Sequence, residues 1–326
     1  MMSFSRRKLP SYPPHRQGVD LEINLAEGAT LGIKKIYPLG AQELEELHTY
    51  IKQNEREDWI QESFVDGWFP IMFVKKKDCK LRLCIGYWAL NNVTKKDRYP
   101  LPVIREALDW LQDAKYFTKL DIKDAYHNIR IREGDELKTT FTSKLGTYEY
   151  RVMPFGLCNP PATFARWINR TFHWYIDQCC IVYLDDVLIY LKNKRQHEKD
   201  VKNIVEAIHW SGMQIKPGKC EFHTTETEYL GFIINQEGIK VQGIKIQAIW
   251  DWIKPTKLKE IKKVLGFCNF FWRFIQRFSV MARPLHNLTK KGKWWEWGKE
   301  ENEGFNQIRT KLISAPVLIR SIQPSQ

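Results

Sequence analysis

Nowhere in the 326-residue sequence does an apolar run approach the ~18 residues that a membrane span needs, so no membrane partner is expected and the chain reads as soluble. Cys-x-x-Cys pairs are also missing. The seven cysteines (Cys79, Cys84, Cys158, Cys179, Cys180, Cys220 and Cys268) are odd in number, which argues against a disulfide framework and for a reducing compartment. Cys220 and His223 would be half of a metal site, but no second half lies nearby, and buried thiols are the expectation. There is no internal repeat. The first ten residues carry Arg6, Arg7 and Lys8 but no apolar core, and Pro10, Pro13 and Pro14 follow, so a secretory signal is not indicated. The expected location is intracellular, cytoplasmic or nuclear, with a mitochondrial transit peptide a distant alternative.

Acidic residues are scarce relative to basic ones. The chain holds 51 Lys and Arg against 38 Asp and Glu, a formal net charge of +13, which points to a polyanionic partner because cations that neutralise phosphates release counterions. The charge is clustered: between Ile71 and Pro100, Lys75, Lys76, Lys77, Lys80, Arg82, Lys95, Lys96 and Arg98 face only Asp78 and Asp97. A chain of this length exceeds what one core usually supports, so several lobes are expected.

Residues 1–40 have little periodicity and read as an arm that packs against something else. Leu44, Leu47 and Ile51 predict a helix over 41–52. Strands are predicted at 70–74 and 81–87, flanking a charged turn at 75–80 that forms a basic hairpin tip. Residues 116–122 are rich in strand formers, and 181–190 are apolar except for Asp185 and Asp186. Between them, 162–176 reads as a helix with Phe164, Trp167, Ile168 and Phe172 on one face. Beyond Gly238, Leu258, Ile261, Val264, Leu265 and Cys268 fall at helical spacing behind Pro255, which predicts a separate helical lobe. Trp294, Trp295, Trp297, Phe305 and Ile308 are expected to pack on a neighbour absent from the chain.

The carboxylates carry the chemistry. In Tyr183-Leu184-Asp185-Asp186-Val187 two adjacent ionised groups sit in an apolar bracket, where they repel each other and lose hydration, a conflict that a cation resolves. An isolated Asp-Asp is most simply a solvated turn. Here no Gly or Asn accompanies the pair, and Asp121 ends a second strand-like run, which favours a metal-binding reading. Magnesium takes hard oxygen ligands, and two ions ~3.5 to 4 Å apart suit phosphoryl and nucleotidyl transfer. Strand side chains alternate, so a tight turn at the pair is needed to bring both to one end of the sheet, and Asp185 ranks above Asp186 as a metal ligand in either case.

These residues resemble the reverse transcriptases of long-terminal-repeat retrotransposons, in particular the Ty3/gypsy-like branch. The similarity runs through Phe73-Val74-Lys75-Lys76-Lys77-Asp78, Tyr99-Pro100-Leu101-Pro102, Phe117-Thr118-Lys119-Leu120-Asp121, Val152-Met153-Pro154-Phe155-Gly156-Leu157 and Tyr183-Leu184-Asp185-Asp186. It continues through Lys219-Cys220-Glu221-Phe222, Tyr229-Leu230-Gly231-Phe232, Leu265-Gly266-Phe267 and Ala315-Pro316-Val317-Leu318. The resemblance implies an α+β right-hand polymerase with a ferredoxin-like antiparallel palm sheet and a helical thumb. It implies an arm over 1–40, fingers over 41–97 and 129–165, palm over 98–128 and 166–238, thumb over 239–290, and a stub over 291–326 leading toward an absent ribonuclease H domain. It also implies RNA-directed DNA polymerase activity on an RNA or DNA template with primer, using deoxynucleoside triphosphates and two Mg2+ ions, with Mn2+ able to substitute.

Residue by residue, the resemblance makes Asp121, Asp185 and Asp186 the catalytic metal ligands, with the Ile122 carbonyl as an extra ligand. Tyr126 becomes the steric gate against ribose, while Lys76 and Arg82 clamp the triphosphate and Phe155 and Gly156 back the nucleotide. Tyr183, Tyr229, Leu230 and Gly231 contact primer and template, the last three as the primer grip, and Lys219 is a candidate proton donor to pyrophosphate. The chain departs from the family where Gly86-Tyr87-Trp88 replaces the usual Asp-Tyr-Arg, Cys79 a turn Gly, Leu137 a Trp and Pro160 an Ala. These departures leave an alternative, a catalytically impaired nucleic-acid-binding remnant.

Overall fold

The computed structural model describes residues 12–32, 37–65, 69–75, 81–100, 109–111, 113–272 and 275–314. Its strands are β1 (Ile60–Glu62), β2 (Phe69–Lys75), β3 (Leu81–Ile85), β4 (Tyr116–Asp121), β5 (Phe141–Ser143), β6 (Gly146–Tyr150), β7 (Cys180–Tyr183), β8 (Asp186–Leu191), β9 (Glu221–Thr224), β10 (Glu226–Tyr229), β11 (Phe232–Asn235) and β12 (Gly238–Val241). Its helices are α1 (Ala41–Arg56), α2 (Trp88–Val93), α3 (Pro160–Thr171), α4 (Lys194–Trp210), α5 (Gly243–Trp250), α6 (Leu258–Phe270), α7 (Phe278–Asn287) and α8 (Lys299–Ile313). The chain divides into two compact units, the first Met1–Val103, Leu120–Leu188 and Lys199–Cys220, the second Ile104–Lys119, Ile189–Glu198 and Glu221–Gln326.

In the first unit a five-stranded sheet has the order β1-β6-β5-β2-β3. β2 and β3 form the expected hairpin, with Val74 opposite Arg82 and Ile71 opposite Ile85. Of the predicted basic tip at 75–80, Lys75 is the last residue of β2, and residues 76–80, Lys76 and Cys79 included, lie outside the described residues. α1 begins at Gly40, whose amide donates to Glu43 Oε2 at 2.8 Å, and buries Leu47 and Ile51, four residues apart on one helical face. α3 starts on Pro160 and Pro161, which suit a first turn because they lack amides that the helix does not need there. It buries Phe164, Trp167 and Ile168, as the periodicity predicts, but stops at Thr171 rather than continuing to 176. The Phe172 ring is buried beyond the helix end, so its place in the apolar pattern reflects the core and not a further helical turn.

The arm packs within this unit. Leu21 bridges Ile131 and Leu25 bridges Thr94, while Val19, Leu21 and Ile23 are buried. Asp135 is buried as well. It accepts the Ile23 amide at 2.8 Å and pairs with Lys138 at 2.5 Å, which compensates its lost hydration.

In the second unit β10, β11 and β12 form an antiparallel meander. β9 runs antiparallel to β4, with Phe117 opposite Thr224 and Lys119 opposite Glu221. The helical lobe predicted after Gly238 is present. α6 buries Ile261, Leu265 and Cys268, and α7 and α8 meet so closely that a Cβ on Gly304 would come within 2.5 Å of the Met281 carbonyl. Phe305, Ile308 and Leu312 form the buried face of α8, and the Trp297 ring packs edge-on to Phe305. These aromatics therefore have partners within the chain, contrary to expectation; Trp294 remains 90% exposed. Among the described residues Cys84, Cys158, Cys179, Cys180 and Cys268 are free thiols, and burial pushes those of Cys179 and Cys268 up to about 12. No described helix is long and apolar enough to cross a membrane.

Candidate active site

The acidic motif forms a two-residue hairpin turn at Leu184 and Asp185, so the turn does not fall on the Asp-Asp pair: Asp186 is already the first residue of β8. Leu184 has φ 55°, a left-handed conformation that costs a residue with a Cβ about 1 to 2 kcal/mol and that primed hairpin turns require at their first central position. The turn is tied to Asp121 through the backbone. The Ile122 amide donates to the Asp185 carbonyl at 3.1 Å, and the Asp121 carbonyl accepts from the Lys216 amide at 2.9 Å. Ile122 and Ile215 form an isolated antiparallel bridge. Asp121 is thus clamped between the turn and the segment after α4.

The three carboxylates differ in exposure. The Asp121 side chain is 17% exposed, Asp186 is half-buried and Asp185 is exposed. Lys219 Nζ lies 3.5 Å from Asp121 Oδ2 and is itself 66% exposed. Lys216 Nζ, which the sequence did not single out, stands 3.5 Å from Asp124 Oδ1. Hard carboxylate oxygens fit a divalent ion, and the ammonium beside Asp121 already balances its charge. Yet among the described residues no group of three or more His, Cys, Asp or Glu side chains is gathered closely enough to hold a metal.

Tyr126 sits on the short 3-10 helix Ala125–Asn128, with its ring 5.0 Å from that of Phe155 and 5.8 Å from that of Phe164. Burial, and then the negative charge of Asp185, raise the Tyr126 phenol above its ordinary range. The gate candidate and the acidic turn therefore share one electrostatic neighbourhood. The His127 ring lies 4.3 Å from that of Trp59 and 5.7 Å from that of Phe155, and burial lowers its pKa to about 4. Sequence reasoning missed His127 and Trp59, because no motif marks a residue whose place is set by packing.

Phe155 is 63% exposed, and Gly156 has φ 98°. A Cβ there would meet the Tyr87 ring at 3.5 Å and the Ile85 carbonyl at 3.6 Å, while Asn91 Nδ2 donates to the Gly156 carbonyl at 2.7 Å. Only glycine takes that backbone readily. Arg82 is exposed on β3. Lys76 lies outside the described residues.

In the second unit Tyr229 and Phe232 close another two-residue turn, in which Leu230 has φ 51° and Gly231 φ 86°. Tyr229 is buried and Leu230 half-buried. The Gly231 carbonyl accepts the Gln242 amide at 3.2 Å.

Comparison with known proteins decides the family. The reverse transcriptase (RNA-dependent DNA polymerase) family matches residues 74–234. The chain belongs to the reverse transcriptases. This reverse transcriptase chain is 35% identical over 307 residues to the transposon Tf2-3 polyprotein of Schizosaccharomyces pombe (strain 972 / ATCC 24843), and 34% identical to the Tf2-7 polyprotein of the same organism. Each alignment covers 94% of this chain and 23% of the polyprotein, so the chain spans about a quarter of the curated relatives it matches. The expected kinship with retrotransposon reverse transcriptases is borne out. Among solved structures, the foamy viral protease-reverse transcriptase dRH in complex with double-stranded DNA has a TM-score of 0.79 at 22% identity, over 92% of this chain and 53% of that one. The foamy viral enzyme in complex with an RNA/DNA hybrid gives 0.73 at 22%, over 91% and 40%. At that identity the likeness speaks for the fold, which is the right-hand polymerase fold expected from the sequence.

Proposed function

We propose that this reverse transcriptase chain adds deoxynucleotides to a primer 3′ end on an RNA or DNA template by metal-assisted nucleotidyl transfer. The observation that carries the reading is the Ile122–Asp185 backbone hydrogen bond, which holds the acidic turn against the end of β4, with Tyr126 in electrostatic contact. Asp121, Asp185 and Asp186, with the Ile122 carbonyl, would hold two Mg2+ ions, or Mn2+ in their place. When bound, the ions supply the positive charge that stabilises the attacking and leaving oxygens. The Tyr126 ring, braced by Phe155 and Phe164, would exclude a ribose 2′-hydroxyl, and Gly156 would let the backbone approach the nucleotide. Lys76 and Arg82 would bind the triphosphate, and Lys219 would hand a proton to the departing pyrophosphate. Fingers over 41–97 and 129–165, palm over 98–128 and 166–238 and thumb over 239–290 are the corresponding assignment, and an intracellular site of action accompanies it.

Primer extension on an RNA template, comparing the parent with Asp185→Asn, tests this reading; equal extension by both would overturn the catalytic assignment. A second reading, a binding remnant with impaired turnover, is supported at the altered finger motif. A Cβ on Gly86 would stand 3.1 Å from the Trp88 ring and 3.3 Å from Pro70, so Trp88 crowds the space that a residue 86 side chain needs. Gly86→Asp alone should therefore gain nothing, whereas Gly86→Asp with Trp88→Arg should raise template affinity and extension if the finger limits this copy. Failure of the double variant to extend at high protein concentration favours the remnant.

A further inference from the structure

Lys245, on α5, has no role in the proposed machinery, yet its ammonium lies where few lysines do. Nζ donates to the Leu230 carbonyl at 3.3 Å and stands 5.2 Å and 5.5 Å from the ring centroids of Phe270 and Phe271. A Cβ built on Gly231 would fall 1.9 Å from that Nζ, so the ammonium rests against the bare Cα of Gly231 and any larger residue there would displace it. Burial lowers the Lys245 pKa. Both central residues of the turn are left-handed, which leucine adopts at a cost and which persists only where surroundings over-determine it. Three contacts do so here: the Lys245 ammonium on the Leu230 carbonyl, the Gln242 amide on the Gly231 carbonyl, and the pairing of Tyr229 with Phe232.

The geometry points to Lys245 as the positioning residue of the turn at Leu230 and Gly231, fixing its backbone and adding a positive charge so that it holds a phosphodiester of the primer strand in register. The inference rests on the reading of Tyr229, Leu230 and Gly231 as the primer-holding turn. A charge acting only as a nonspecific attractor would strengthen duplex binding without setting which phosphate meets the turn. A positioning charge sets both.

The test uses the full 326-residue chain and a primer–template whose terminal or penultimate phosphodiesters carry a thiol tether. Leu230→Cys is introduced into the parent, Lys245→Met and Lys245→Arg backgrounds, and the cross-linked phosphate is mapped alongside single-nucleotide extension and the melting temperature. Lys245→Met keeps the aliphatic stem and removes the charge. The expected result is a cross-link at one phosphate in the parent that spreads to its neighbours in Lys245→Met. Extension should fall about 10- to 100-fold, the loss that a small misplacement of reacting groups produces, at an unchanged half-saturating deoxynucleotide concentration. Lys245→Arg, which keeps the charge, should retain a single cross-linked phosphate. A parental cross-link site in Lys245→Met, or a uniform drop in yield with no change of site, overturns the role of Lys245 while leaving the primer-holding turn in place. No cross-link to Leu230→Cys in the parent overturns the primer-holding reading itself, and this inference with it.

Discussion

Two hairpin turns, one in each unit, open on the same dipeptide and are held differently. Tyr183-Leu184-Asp185-Asp186 and Tyr229-Leu230-Gly231-Phe232 both place their leucine in left-handed backbone, at φ 55° and 51°. In the first turn only Leu184 is left-handed, and the strain is held by the Ile122 amide on the Asp185 carbonyl, which leaves the Asp185 carboxylate exposed. In the second both central residues are left-handed, and Lys245 covers the face of Gly231. The first turn is anchored through its backbone, by the Ile122 amide, whereas the second is also held by a side chain from another element, the Lys245 ammonium on the Leu230 carbonyl.

That contrast is open to tests, the largest effect first. Asp185→Asn should lower single-turnover incorporation about 10³-fold, as loss of one group that stabilises transition-state charge does, with no shift in melting temperature, whereas Leu230→Ala should retain most activity. Loss of activity in the leucine variant alone would break the distinction between the turns.

Next come two histidines, one per unit, His127 half-buried and His197 buried. His127 and His197 both have their pKa lowered to about 4, chiefly by burial. His197 is fully buried, with Nε2 2.9 Å from Thr118 Oγ1 and no hydrogen-bond partner at Nδ1. An unfolded histidine titrates near 6.5, so between roughly pH 6.5 and 4 the unfolded chain binds more protons than the folded one. Stability contributed by the neutral rings is therefore present above pH 6.5 and lost as the pH falls toward 4, by up to about 3 kcal/mol each. Denaturant titrations across this range should show the slope, and His197→Phe should remove its share. A flat profile in the parent would mean that the rings are hydrated in solution.

Gly231→Ala should cost about 1 to 2 kcal/mol, from left-handed strain and displacement of the Lys245 end, read as a lower denaturant midpoint. Smallest is Leu184→Gly. Relief of the left-handed leucine opposes the added freedom of the unfolded chain, so the net change should stay within about 1 kcal/mol. A larger loss would show that the Leu184 side chain, and not the turn geometry, holds the acidic loop.

Much of this was legible from local pattern. Helical spacing located α1, α3 and α6, and strand formers located β2, β3, β4 and the β7–β8 pair, because a periodicity of 3.6 or 2 is a property of neighbours along the chain. The apolar bracket around Asp185 and Asp186 marked the acidic site for the same reason. The sequence did not reveal that the turn falls one residue early, since Leu184 is a poor candidate for left-handed backbone and takes it only when β7 and β8 pair in this register.

Composition and periodicity by themselves determined a basic chain of mixed strands and helices with carboxylates in apolar brackets at Asp121 and at Asp185-Asp186, and the resemblance of its motifs pointed to the reverse transcriptases. Only the tertiary structure decided that the Ile122 amide ties Asp121 and Asp185 together, that Tyr126 lies within the electrostatic reach of Asp185, and that Lys245 covers Gly231. Each of these depends on groups distant in sequence meeting at hydrogen-bond or ring-contact distance, and no local propensity encodes such a meeting.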